Sequence, residues 1–114
     1  MTRDDLRDWC LQMPGAVEEF PFGDNTAVFK IAGKMFALSP IETDQPKVSV
    51  KCDPDLGVQL RESYEAIGFA YHLNKQHWVS VDLDGDAPDP MIRDLVEDSY
   101  DLVRPKRARK GAAS

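Results

Sequence analysis

Long apolar runs are missing from this sequence, and so are the signatures of the common catalytic classes. No stretch approaches the ~18 apolar residues of a membrane-spanning helix, and Met1-Thr2-Arg3-Asp4-Asp5 lacks the apolar segment of a signal peptide. The chain is therefore expected in the cytoplasm, with no membrane partner. There is no Gly-x-Ser-x-Gly elbow, no Cys-His pair with a known signature and no glycine-rich phosphate loop, so neither a catalytic residue nor a cofactor is expected. Cys10 and Cys52 are the only cysteines and fall on the apolar side of the pattern described below, where a thiol acts as a small, reduced core residue. Internal repeats are absent as well.

What is present is globular. Hydrophobic residues make up 42% of the chain and charged residues 30%, and 114 residues suffice for one core but not two. A single domain over residues 1–104 is expected, followed by a disordered basic tail over residues 105–114. The net charge of -6 conceals an uneven distribution. No acid follows Asp101, whereas Arg104, Lys106, Arg107, Arg109 and Lys110 are five of the 14 bases, which leaves 9 bases against 20 acids in residues 1–103. So acidic a body can approach a polyanion only through local basic charge.

The period of the pattern alternates between helix and strand. Thr2 and Asp5 form a capping box before Leu6, Trp9, Cys10 and Met13, predicting a helix over 3–13 that stops at Pro14-Gly15. Asp53-Pro54 and Asp89-Pro90 each pair an N-cap side chain with a first-turn proline. The first should open a helix buried through Leu56, Leu60, Tyr64 and Ile67 and ended by Gly68. The second should open one buried through Ile92, Leu95, Val96, Ser99 and Val103. Between the first two helices the period falls to two. Ala27, Phe29 and Ile31 alternate inward, and a two-residue turn at Ala32-Gly33 sets Lys30 opposite Met35 and Phe29 opposite Phe36, with Leu38 inward. Val48, Val50 and Cys52 alternate with Lys47, Ser49 and Lys51. A second hairpin, 69–73 with 77–83, turns at Asn74-Lys75-Gln76; a three-residue loop sets His72 opposite Trp78 and sends Phe69, Tyr71 and Leu73 inward with Val79 and Val81. A further short strand fits at about residues 16–21. The fold class is α+β, an antiparallel sheet with three helices on one face and the other face partly open.

The outward positions include Thr26, Val28, Lys30, Met35, Lys47, Ser49, Lys51, His72, Trp78 and Ser80, with Lys34, Asn74 and Lys75 at turns, while acids concentrate in the helices. Lysines around an aromatic on a flat sheet suit stacking of a base and neutralisation of its phosphate. The same lysines also serve an open sheet by keeping it soluble. Candidate binding residues are Lys30, Lys34, Lys51, His72, Asn74, Lys75, His77 and Trp78, with Arg104, Lys106, Arg107, Arg109 and Lys110 in the tail.

Five ordered blocks resemble the MmcQ/YjbR family: Met13-Pro14-Gly15-Ala16, Val48 through Pro54, His72-Leu73-Asn74-Lys75 with His77-Trp78, Leu83-Asp84-Gly85 with Pro88-Asp89, and Ser99-Tyr100. The resemblance implies a CyaY-like (frataxin-like) fold of double-wing type and a DNA-binding activity. It carries over to Lys51, His72, Asn74, Lys75, His77 and Trp78. Phe69-Ala70 departs from the family's Pro-Gly before the Tyr-His block, and Val79 from its polar residue after Trp78.

Metal readings fare less well. Asp82, Asp84, Asp86 and Asp89 surround Gly85 like a calcium loop, but the glycine is misplaced and Arg93 stands where a bidentate glutamate belongs, so a polar turn is expected. His72 and His77 share no face in the register above. Asp4, Asp5 and Asp8 offer a small acidic helix surface of the kind frataxin-like proteins use for iron, partly neutralised by Arg3 and Arg7. Two functions remain: DNA binding through the basic sheet face and tail, or a non-catalytic small-molecule or protein adaptor using that face.

Overall fold

The computed structural model describes residues 1–41, 43–70 and 73–105. Along the chain come α1 (Arg3–Gln12), β1 (Val17–Glu19), β2 (Thr26–Ile31), β3 (Lys34–Pro40), β4 (Lys47–Lys51), α2 (Pro54–Ser63), β5 (Ile67–Phe69), β6 (Trp78–Asp82) and α3 (Asp89–Val103). The strands form one antiparallel sheet in the order β1-β2-β3-β4-β6-β5. Leu6 and Cys10 of α1, Leu60 of α2 and Ile92, Leu95 and Val96 of α3 share one core with Phe29, Phe36, Val48, Val50, Val79 and Val81 of the sheet. The α+β layering expected from the sequence is therefore present. The tail beyond Pro105, with Lys106, Arg107, Arg109 and Lys110, lies outside the described residues, as does His72.

Local chemistry sets the helix starts. Thr2 Oγ1 accepts from the Asp5 N–H at 3.0 Å and the Asp5 carboxylate accepts from the Thr2 N–H at 3.1 Å, the expected capping box. Asp53 caps α2 through the N–H groups of Asp55 and Leu56. Asp89 does not cap α3. Its carboxylate instead takes the Met1 ammonium at 3.1 Å, and the preceding Pro88 occupies the cap with no side-chain hydrogen bond. Helix α2 also ends sooner than its apolar pattern suggests, at Ser63, because Ile67 and Gly68 are already in the edge strand.

The first hairpin turns as expected, with φ of 53° at Ala32 and 80° at Gly33, the doubly left-handed pair a two-residue turn requires. Lys30 pairs with Met35, but Phe29 then pairs with Ala37, because a bulge inserts Phe36. The extra residue reverses the alternation beyond it. Ala37 faces the core beside Val50, while Leu38, read as inward, pairs with Val28 and Ser49 on the opposite face. The bulge is tied down by α3: Ser99 Oγ donates to the Phe36 carbonyl at 2.6 Å and accepts from the Lys51 N–H at 2.9 Å. Phe36 itself meets Tyr100 edge-on, ring centroids 5.4 Å apart, and the Tyr100 hydroxyl donates to the Pro14 carbonyl.

The second hairpin is longer-looped than expected. Phe69 pairs with Val79, a two-residue slip from the predicted register that keeps Phe69 on the side expected of it; Leu73, read as an inward strand residue, lies beyond β5, and Tyr71 falls outside the described residues. The slip follows from how the chain spends its turn residues. Leu73 N–H bonds Ala70, both His77 and Trp78 N–H bond the Asn74 carbonyl, and Asn74 Oδ1 takes the Gln76 N–H.

Candidate nucleic-acid interface

Strand registers decide which candidate residues meet. Ile31 pairs with Lys34, Ala37 with Val50 and Lys51 with Trp78, and the Cys52 N–H donates to the His77 carbonyl. Lys30, Lys34, Lys51, Asn74, Lys75, His77 and Trp78 consequently lie at one end of the sheet, on two hairpin tips and the close of β4. Helix α3 runs toward the same end, since Ser99 bonds Phe36 and Lys51 there, and Arg104 follows its last turn. At the far end, where Thr26 meets Pro40 and Lys47 meets Asp82, the loops carry Asp24, Asp44, Asp84 and Asp86. Charge is thus divided along the strands as well as between helices and sheet.

The face opposite the helices differs from the basic, aromatic platform read from the sequence. Lys30 Nζ pairs with Glu19 Oε1 at 3.0 Å, and Lys47 Nζ approaches Asp82 Oδ1 at 4.0 Å. Both acids project to the same face as their lysines, Glu19 because β1 adds itself beside β2. Trp78 does face away from the core, and Val79 is fully buried beneath the helices, as the alternation requires. Yet Trp78 is only 9% exposed and Val28 on that face is 0% exposed, so the indole offers little surface for stacking. The usable cations are those at the end. Lys34 and Lys51 take part in none of the ion pairs among the described residues, and Lys34, Asn74, Lys75 and His77 are exposed. Of the acids near this end, Asp53 caps α2 and Asp101 holds Arg104 at 3.1 Å, while Asp98 lies around the same hollow as these two.

Two residues of this end escaped the sequence reading. Arg61, in the last turn of α2, places its guanidinium carbon over the Phe69 ring, 4.3 Å from the centroid, and Lys75 Nζ lies 5.9 Å from the same ring. Phe69 belongs to the helix-facing side but lies on the edge strand and is 44% exposed. Their 8-residue separation gives no local signal of contact; only the docking of α2 on β5 creates it.

Other groups have structural duties. Asp86 accepts from the Ala66 N–H at 2.8 Å and the Glu65 N–H at 3.2 Å, and these bonds hold its carboxyl below the usual range. The aspartate-rich turn is therefore a clasp on the α2–β5 connection. Asp5 is held low by its bonds with Thr2, and Arg7 pairs with Glu18 of β1 at 2.8 Å, so its charge is directed away from the α1 aspartates. A cleft of about 630 Å³ between α1 and α3 is lined by Asp5, Asp8, Trp9, Gln12 and Arg93. Burial pushes the Cys10 thiol up to about 12, with Glu18 adding to it, and burial also raises Cys52. Both cysteines are free and buried. No group of three or more metal-ligating side chains occurs among the described residues, and none of their helices is long and apolar enough to cross a membrane.

The model of the YjbR family matches residues 11–102, which includes every described strand and both hairpin tips. The chain belongs to the YjbR family. The Escherichia coli K12 protein YjbR is 35% identical over 100 residues, 88% of this chain and 85% of its own. The protein YbdF of Escherichia coli O157:H7 is 38% identical over 93 residues, 82% of this chain and 76% of its own. Among solved structures, the Deinococcus radiodurans protein DR2400 superposes with a TM-score of 0.88 at 42% identity, covering 96% of this chain and 86% of that one. A Pseudomonas syringae crystal structure gives 0.80 at 30% identity over 91% of this chain and all of that one.

Proposed function

We propose that this YjbR-family protein is a non-catalytic, cytoplasmic DNA-binding protein that meets the polyanion with the basic end of its sheet. The carrying observation is the convergence of Lys34, Lys51, Lys75 and His77 on the two hairpin tips and the end of β4, with the acidic loops at the opposite end. Lysines on exposed turns can neutralise phosphates without any pocket, and such contacts supply sequence-independent affinity. The tail bases Lys106, Arg107, Arg109 and Lys110 follow Arg104 in the sequence and would add contacts of the same kind. The CyaY-like, double-wing relation implied by the resemblance fits this reading, with each hairpin tip serving as a wing.

Mobility shifts on single- and double-stranded DNA between about 50 and 200 mM salt test it. The full chain should retard both forms with affinity falling steeply as salt rises. A chain ending at Pro105 should bind more weakly to all sequences about equally, with a slope reduced by as much as ~3.6 on duplex. Lys34→Gln with Lys51→Gln should lower the slope by a further ~1.8. Absence of salt-dependent retardation would sink the DNA reading in favour of an adaptor.

A further inference from the structure

Among the described residues, the basic end carries one aromatic ring that is both exposed and flanked by cations, and it is not Trp78. Phe69 lies on the edge strand β5 at 44% exposure, with the Arg61 guanidinium 4.3 Å and Lys75 Nζ 5.9 Å from its ring centre. Arg61 takes part in none of the ion pairs among the described residues; its charge acts on the ring and, against the effect of burial, on the Cys52 thiol. An exposed edge strand is commonly protected by charged side chains. Here two cations from different elements, the last turn of α2 and the 74–77 turn, converge on one half-exposed phenyl group.

We infer that Arg61, Phe69 and Lys75 form a subsite for one unpaired nucleotide of single-stranded DNA, the base stacking on Phe69 and its phosphate meeting Arg61 and Lys75. This rests on the DNA-binding reading above and deepens it by naming the strand form. Phenyl rings stack on any base, but only on one withdrawn from a duplex. The guanidinium carbon sits over the ring 4.3 Å from its centroid, so it makes a cation–π contact there while its N–H donors can meet a phosphate. From this edge the turn residues Asn74, Lys75 and His77 lead across to Lys51, a backbone track along the end of the sheet.

Fluorescence anisotropy of the full chain with labelled oligothymidylate and with a short duplex tests the subsite. Phe69→Leu keeps an apolar side chain under Arg61, and a melting curve confirms that it folds. It should weaken single-strand binding about tenfold, leave the duplex unchanged and leave the salt slope unaltered. Phe69→Trp should bind the single strand at least as tightly as the native chain. Arg61→Gln should lower the single-strand slope by about 0.7, the signature of one phosphate contact. If Phe69→Leu binds oligothymidylate like the native chain, or loses both forms equally, while Lys51→Gln and the chain ending at Pro105 weaken binding, the subsite falls and DNA binding stands. If the native chain binds neither form, both fall.

Discussion

Replacing Ser99 by alanine removes one oxygen and strips two backbone groups of their partner. The hydroxyl is fully buried, donates to the Phe36 carbonyl at 2.6 Å and accepts from the Lys51 N–H at 2.9 Å. These groups exist because the bulge at Phe36 halts the β3–β4 ladder, whose paired positions are Ala37 with Val50 and Leu38 with Ser49. With alanine, a carbonyl and an amide are left without a partner, and each such loss costs about 1–3 kcal/mol. Water can reach the end of β4, so the sum should fall in the lower part of the range, about 2–4 kcal/mol. For a domain of this size that corresponds to a fall in Tm of roughly 10–20 °C. Urea denaturation gives the magnitude, and hydrogen exchange gives the mechanism, because the Lys51 amide should lose protection well beyond its neighbours Ser49 and Val50. A change under 0.5 kcal/mol with Lys51 still protected would show that the bulge does not depend on this hydroxyl; that threshold is about the spread of neutral surface substitutions.

Trp9 packs half-buried against the core and donates from Nε1 to the Arg93 carbonyl at 3.1 Å, so Trp9→Ala should cost about 2–3 kcal/mol in chemical denaturation, less than a fully buried tryptophan. Asp98 has a raised carboxyl pKa, from burial first and then from Asp94 and Asp101, so its ionised form opposes folding. Asp98→Asn should therefore raise Tm at neutral pH, and the gain should vanish as pH falls through the folded pKa and the native carboxyl takes up its proton. Asp86 has the opposite sign: its depressed folded pKa gives stability that is present above the unfolded carboxylate range and is lost as acid protonates the folded form. Asp86→Asn should accordingly flatten the acid limb of a Tm-versus-pH curve, and an unchanged limb would contradict the clasp.

Features set by neighbours in sequence were readable from it. The capping box at Thr2 and Asp5 and the cap at Asp53 need only a few consecutive residues, and both formed. Asp89 has the same local signal and failed as a cap, because the Met1 ammonium, distant in sequence, competes for its carboxylate. The bulge was equally invisible, since the hydroxyl that accommodates it comes from 63 residues away. For the candidate site, the period-two pattern named the lysines of the hairpin tips. It could not show that Glu19 neutralises Lys30 or that Trp78 is covered, because both depend on which strands become neighbours. Arg61 and Phe69 were missed for the same reason, and a helix-end arginine shortly before an edge-strand aromatic is too common a pattern to mark them.

The net charge of -6 opposes a polyanion, but its weight depends on distance and salt. Strand β2 has six residues, so the basic and acidic ends of the sheet are separated by roughly 20 Å at about 3.3 Å per residue. At physiological ionic strength the screening length is about 8 Å, so a phosphate at the hairpin tips is largely insulated from Asp24, Asp44, Asp84 and Asp86. Near 0.01 M salt the length grows to about 30 Å and the acidic end repels the same phosphate. Counterion release alone predicts a straight line of log affinity against log salt. For this chain the line should bend, steep above about 0.1 M and flattening toward 0.01 M as repulsion from the far end sets in. Neutralising the far end with Asp24→Asn, Asp44→Asn and Asp84→Asn should straighten it and raise affinity only at low salt. A native plot that is straight throughout, or a triple variant that gains equally at every salt concentration, would show that the charge division along the strands does not govern the encounter.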